Sequence, residues 1–259
     1  MSYATSLAVI AMLLGGIAAL ADESVDDNSP PLSEKQLAEL NQTLETSLER
    51  ATELVRTKPD SVDSYSRRGD IRFFLGQFTL AVEDYDKMVE LDASLDSSHW
   101  RRGIALFYAE RYEDAAKQFE RYHSFDQIDR ENGIWRYLSQ RKAFDLETAR
   151  NGLLKYKKDD REPFPAVYQL FAGSIEPQQI LDQIAEAKIS TRDRDMRLFY
   201  ANLYIGLNFA VEKNDKAACQ HLAMSTRNPW GPAAGYGPAY MWHVGRLHES
   251  LLRKKLAEK

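Results

Sequence analysis

Two groups of side chains have the types that catalysis or metal binding requires. Ser139-Gln140-Arg141-Lys142 has S-x-x-K spacing, in which a lysine can activate a serine nucleophile. Neither the S-D-N nor the K-T-G element that completes such a site occurs in the chain. Cys219, His221, His243 and His248 are the plausible metal ligands. Two ligands on one helical face need spacings of three or four, whereas 219/221 and 243/248 are two and five apart. Packing or surface positions are the simpler reading for all four. His99 and His123 have no acid–nucleophile partner at a recognisable spacing, and Gly235-Tyr236-Gly237 follows no predicted strand, so it is not a dinucleotide loop. The expectation is a chain without catalytic residues, metal or cofactor.

A third group is aromatic and belongs to a repeating pattern. Arg67-Arg68-Gly69 recurs 34 residues later as Arg101-Arg102-Gly103. Phe78, Ala81 and Tyr85 recur in the same register as Tyr112, Ala115 and Phe119. A fixed period of this length implies a helix–turn–helix unit. The small residues let two helices approach closely and the aromatics fill the space around them. These residues resemble the glycine, alanine and aromatic sites of the tetratricopeptide repeat family. The resemblance implies an all-α solenoid of helical hairpins, with degenerate helices at its ends.

In that family the first helix of each unit lines a concave groove. The resemblance places Asp63, Ser66, Asp70, Phe73 and Phe74 there from one unit, and Ser97, Trp100, Ile104, Phe107 and Tyr108 from the next. Asp70, Phe73, Phe74, Trp100, Phe107 and Tyr108 are therefore the candidate partner-binding residues, suited to gripping a protein or peptide. The basic and asparagine positions with which some members hold a terminal carboxylate are Ser66, Asp70, Trp100 and Ile104 here, so that mode is not expected. The paired arginines are expected to be surface ion-pair partners.

The elements that position these groups follow from punctuation and periodicity. Ser33 opens a predicted helix with leucines at 37, 40, 44 and 48 on one face, closing near Lys58 before Pro59-Asp60-Ser61. Units cover about 62–95 and 96–129. A third, degenerate unit has Tyr137 at the glycine site and Ala149 in phase. Beyond it, Pro163/Pro165 and Pro177 open short helices. The stretch 193–212 pairs with a helix bearing Ala217, Ala218 and Leu222 across a lengthened turn at Asn214-Asp215. Residues 228–238, rich in Pro and Gly, read as a loop before a terminal helix from about Ala239. Trp230 and Tyr236 make that loop a candidate contact surface and the alternative site of a small-ligand or peptide receptor.

The 259 residues suffice for a sizeable core. At 44% hydrophobic and 28% charged the composition is that of a globular protein. A net charge of −5 with no basic block argues against nucleic acid as a partner. Residues 2–21 carry no charge, and Ala19-Leu20-Ala21 precedes an acidic turn at Asp22-Glu23. That pattern predicts an export signal cleaved after Ala21, and so a periplasmic or secreted protein. Contact with a membrane is expected only through residues 2–21, if they are retained as an anchor. The predicted organisation is 1–21 signal or anchor, 22–32 linker, 33–160 repeat array with a capping helix, and 161–259 degenerate helices.

From Trp135 onward the layout resembles the NlpI family of periplasmic lipoproteins. The residues that carry the resemblance are Tyr137–Lys142, Tyr168 through Phe171–Ile175, Phe199-Tyr200 and the terminal helix. It implies a dimeric adaptor of the cell envelope. The lipid-bearing cysteine of that family is absent, so lipid anchoring does not carry over. The functional expectation is an exported, non-catalytic interaction scaffold.

Overall fold

The computed structural model describes residues 29–158 and 160–258, and all regular elements among them are helical. The expected signal at 1–21, and residues 22–28 of the expected linker, lie outside the described residues. No described helix is long and apolar enough to cross a membrane. The chain divides into two compact units: a leading unit, Ser33–Ser174, and a trailing unit, in which Ile175–Lys259 is joined, among the described residues, by 29–32.

The leading unit begins with α1 (Glu34–Thr57), N-capped by Ser33 in a capping box with Gln36. Of its leucine stripe only Leu44 is fully buried, with Ala51 and Val55 completing the contact face. Ser61 caps α2 (Val62–Phe74), which pairs with α3 (Phe78–Leu91). A 3-10 segment, Ala93–Ser98, leads to α4 (Trp100–Tyr108) and its partner α5 (Tyr112–Phe125). Then come α6 (Arg130–Ala143), α7 (Leu146–Asn151) and α8 (Phe164–Ala172). Each helix from α1 to α6 packs on the next, and α8 packs on α6.

This unit runs past the boundary expected at 160. The physical reason lies in α8: Phe171 meets Tyr137 edge-on at 5.1 Å, and the Tyr168 hydroxyl donates to the Leu154 carbonyl at 2.7 Å.

The trailing unit contains α9 (Pro177–Glu186), α10 (Thr191–Val211), α11 (Asp215–Arg227), α12 (Trp230–Ala233) and α13 (Tyr236–Ala257). Its core is α10 against α11 and α11 against α13, around Phe199, Leu203, Tyr204, Leu222, Tyr240 and Val244. The stretch 228–238 is not a single loop. It forms the one-turn helix α12, and α13 starts at Tyr236 rather than Ala239. Pro232 and Pro238 fall in first turns, where a missing N–H breaks no intrahelical bond, so proline-rich sequence here starts helices instead of ending them.

The α2/α3 and α4/α5 pairs repeat the same backbone turn. Gly76 (φ 76°) and Glu110 (φ 61°) are left-handed and stand 34 residues apart. In each case the following N–H reaches back to close the helix: Gln77 to the Arg72 carbonyl at 2.8 Å and Arg111 to that of Leu106 at 2.9 Å. The same turn occurs a third time between α10 and α11. Lys213 (φ 64°) is left-handed there, and the Asn214 N–H donates to the Phe209 carbonyl at 2.9 Å. The turn at Asn214 is therefore not lengthened, contrary to expectation.

Seven residues before each left-handed residue stands a glycine: Gly69, Gly103 and Gly206. A Cβ at these sites would lie 2.7 Å from Tyr85, 2.6 Å from Phe119 and 2.7 Å from Leu222 respectively. Close helix approach is thus the shared design of all three pairs. Gly206, Ala218 and Leu222 reproduce the spacings of Gly69, Ala81 and Tyr85. The register is displaced by one residue from a multiple of 34, which hides it from a strict period.

Candidate functional site

Helices α2 and α4 deliver the residues of the expected groove, but they do not leave them open. Phe73 is fully buried, packed against Phe78 at 5.3 Å and Tyr108 at 5.6 Å. Phe107 is buried against Tyr108, Tyr112 and Trp135 at 5.3–5.5 Å, and Phe74 is buried beside Phe73. The cluster continues from Trp135 to Phe119, which stack at 6.2 Å. Phe73, Phe74 and Phe107 are therefore core residues and not partner anchors. The glycines bring the helices so close that these rings are needed to fill the space between them.

Trp100 and Tyr108 remain half-buried. Tyr108 stacks on Phe78 at 5.0 Å, and burial pushes its phenol pKa up. Asp70 accepts from the Tyr85 hydroxyl at 2.7 Å and from Arg101 at 2.6 Å. Arg101 also donates to the Ser66 hydroxyl at 3.0 Å and lies over the Tyr85 ring at 5.4 Å. This constellation ties α4 to α2 and α3. Trp100 at the start of α4, with the Ser66–Asp70–Arg101 network beside it in sequence phase, is what remains of the expected contact surface.

Only Arg67, paired with Asp63, is the surface ion-pair residue expected of the arginine pairs. Arg68 joins Arg72 on Asp84, whose side chain is 2% exposed. Arg102 reaches Asp86, Asp96 and Gln118. Each crosses between helices, so three of the four are structural.

Exposed apolar residues outside the expected groove broaden the candidate surface. Phe125 is 63%, Phe144 53% and Ile128 42% exposed. The sequence signal for them was a large apolar residue at a helix end between polar neighbours: Ser124-Phe125-Asp126, and Phe144-Asp145 after α6. An open cleft of about 440 Å3 lies near Phe144, between the α4–α5 turn and the end of α6. Glu110, Glu113 and Asp114 line it opposite Lys142, whose ammonium sits 5.2 Å over the Tyr112 ring. Charges of both signs around the half-buried Tyr112 suit the side chains of a protein partner.

The residues considered for chemistry are drawn into other roles. Ser139 is buried and donates to the Trp135 carbonyl at 2.7 Å, whereas Lys142 is exposed. Cys219 lies 3.9 Å from the Glu249 carbonyl, and burial pushes its thiol up to about 11. His221 pairs with Asn202 at 2.9 Å, and burial lowers its pKa. His243 accepts from Arg246 Nε at 3.0 Å; burial, then the Arg246 charge, hold the imidazole neutral. His99 caps α4 by accepting from the Arg102 N–H at 3.2 Å, and burial with two adjacent arginines lowers it to about 3. Among the described residues no three His, Cys, Asp or Glu side chains converge as a metal site. In the trailing unit Trp230 is half-buried against Phe199 and Tyr200, each at 5.6 Å, while Tyr236 is 37% exposed at the start of α13.

The N-terminus of α6 carries the leading unit's most perturbed carboxylate. Asp129 caps the helix, accepting from the Glu131 N–H at 3.0 Å. Burial, then the Glu131 charge, raise its pKa to about 7, opposed by Arg161. The folded protein therefore holds this proton more tightly than the unfolded chain does. The associated stability is present below about pH 4 and is lost as pH rises through about 7. Asp129→Asn keeps a cap acceptor without the charge. It is expected to melt a few degrees above the wild type at pH 8 and alongside it at pH 4. Parallel melting curves across that range would contradict this.

A comparison with models of known protein families finds no match to the chain.

Proposed function

We propose that the chain is a tandem helical-repeat protein of the tetratricopeptide kind, acting as a non-catalytic scaffold for other proteins. The observation that carries this reading is the helix pair closed by a glycine and a left-handed turn, recurring at Gly69/Gly76, Gly103/Glu110 and Gly206/Lys213. Repeated hairpins build extended surfaces more readily than enclosed active sites. Trp100, Phe125 and Phe144 supply the half-buried or exposed aromatics from which interface anchors are drawn. The apolar sequence at 2–21 and the likeness of residues after Trp135 to the NlpI lipoproteins support a place in the cell envelope. N-terminal sequencing of the mature protein checks the export step.

Quantitative capture of partners by the immobilised protein tests the function. Trp100→Ala is expected to weaken retention of a captured partner about thirtyfold, an anchor's share of binding, with little change in melting temperature. Failure to retain any protein above an unfolded control would overturn the scaffold reading. So would a Trp100→Ala variant altered only in stability. A thermal-shift screen with metabolites and cell-wall fragments distinguishes the receptor alternative, since a receptor alone gains stability from small molecules.

A further inference from the structure

The described chain begins at Ser29, and its first residue is held by two arginines far away in sequence. Arg227, the last residue of α11, donates through Nη2 to the Ser29 carbonyl at 2.6 Å and to its hydroxyl at 2.9 Å. Arg253, on α13, donates to the same carbonyl at 2.7 Å. Ser29 and both arginines belong to the trailing unit. Two guanidinium groups from different helices thus meet on one main-chain oxygen.

Arg253 is preorganised. Glu249, its side chain 4% exposed, stands one turn before Arg253 and accepts from its Nε. Burial raises the Glu249 pKa, opposed by its hydrogen bond from Arg253 and then by the charges of Arg253 and Arg227. A buried carboxylate therefore orients the Arg253 guanidinium, so little side-chain freedom is lost there when a carbonyl docks.

The segment they hold is preorganised as well. Ser29 is followed by Pro30 and Pro31, and a residue before proline is restricted to extended backbone. Extended or polyproline II chain leaves its carbonyls without internal partners, available to outside donors. Ser33, at φ −64° and ψ 157°, is itself extended at the start of α1, after bends at Pro31 and Leu32. Only one of the three hydrogen bonds uses the Ser29 side chain; the other two read backbone alone.

We propose that Arg227 and Arg253 form a clamp for the main-chain carbonyl of a proline-containing peptide, and that the chain's own Ser29 segment occupies it in cis. An incoming segment of the same kind must then displace the N-terminal segment, which acts as a built-in competitor. The clamp is independent of the scaffold reading, because its occupant is part of this chain.

The test uses the full chain with a protease site introduced between Leu32 and Ser33, cut after folding. The freed N-terminal fragment is expected to co-elute with the remainder on size exclusion. A synthetic peptide of residues 22–32 is expected to displace it in a concentration-dependent way. Arg227→Gln and Arg253→Gln, compared at a temperature where each variant is folded, should each weaken retention about tenfold, the loss of a charge-assisted hydrogen bond. Should Arg227→Gln unfold the unit, Arg253→Gln alone carries the test, since that side chain is partly exposed at 31%. Immediate loss of the fragment from the wild-type clamp would overturn the proposal. Equal retention by a folded Arg253→Gln variant would do the same.

Discussion

Asp84→Ala is expected to destabilise the leading unit by about 3 kcal/mol, the lower end of the 3–5 kcal/mol range for breaking a buried ion pair from one side. Asp84 is 1% exposed and accepts three bonds from Arg68, at 2.6–3.1 Å, and one from Arg72 at 2.9 Å. Without it two guanidinium groups face each other between α2 and α3 with no carboxylate between them. The lower end applies because the arginine side chains are 14% and 16% exposed, so their heads can partly rehydrate. Arg72 also keeps its bond to the Leu80 carbonyl at 3.2 Å. At about 2–4 °C per kcal/mol for a chain of this size, the melting temperature should fall by roughly 6–12 °C. Asp84→Asn, which keeps an acceptor and loses the charge, should fall between the variant and the wild type. A loss below about 1 kcal/mol would mean that the arginines swing out to water and the network contributes little.

Gly206→Ala is expected to destabilise the trailing unit by about 1–3 kcal/mol, although alanine is the better helix former by about 1 kcal/mol. The added Cβ would stand 2.7 Å from Leu222 Cγ and 3.1 Å from the Leu222 backbone nitrogen. A side-chain tip could rotate away, but a backbone nitrogen moves only if α10 and α11 separate. Gly245, on α13 of the same unit, is the internal control. Its Cβ would meet nothing nearer than 3.4 Å, so Gly245→Ala should be neutral or stabilise by up to about 1 kcal/mol through helix propensity. Thermal melts of the two variants are expected to move in opposite directions from the wild type. A Gly206→Ala protein as stable as Gly245→Ala would show that α10 and α11 do not approach as closely as α2 and α3.

Much of the fold was legible in local sequence. Ser33 and Ser61 cap helices because a hydroxyl satisfies the free N–H groups of a first turn, an effect spanning three residues. The 34-residue spacing marked Gly69 and Gly103 because tight helix approach tolerates no side chain there. The third such pair escaped because one added residue breaks a strict period while leaving the geometry of Gly206 against Leu222 intact.

The candidate site was less legible. Periodicity identifies which face of α2 and α4 is apolar, but not what covers it. Phe73, Phe74 and Phe107 have the pattern of groove residues, yet their rings fill space between helices of this chain. Arg68 and Arg102 have the exposure pattern of surface charges, yet their partners, Asp84 and Asp86, arrive from the opposing helix 16 residues away. The hold of Arg227 and Arg253 on Ser29 spans 198 and 224 residues of chain, beyond the reach of any local pattern. Helix identity and the paired glycines were therefore determined by the sequence itself, through caps and spacing that act within a few turns. Burial of the aromatics, the partners of the arginines and the docking of Ser29 were decided by tertiary packing alone, because each depends on which distant surface removes a side chain from water.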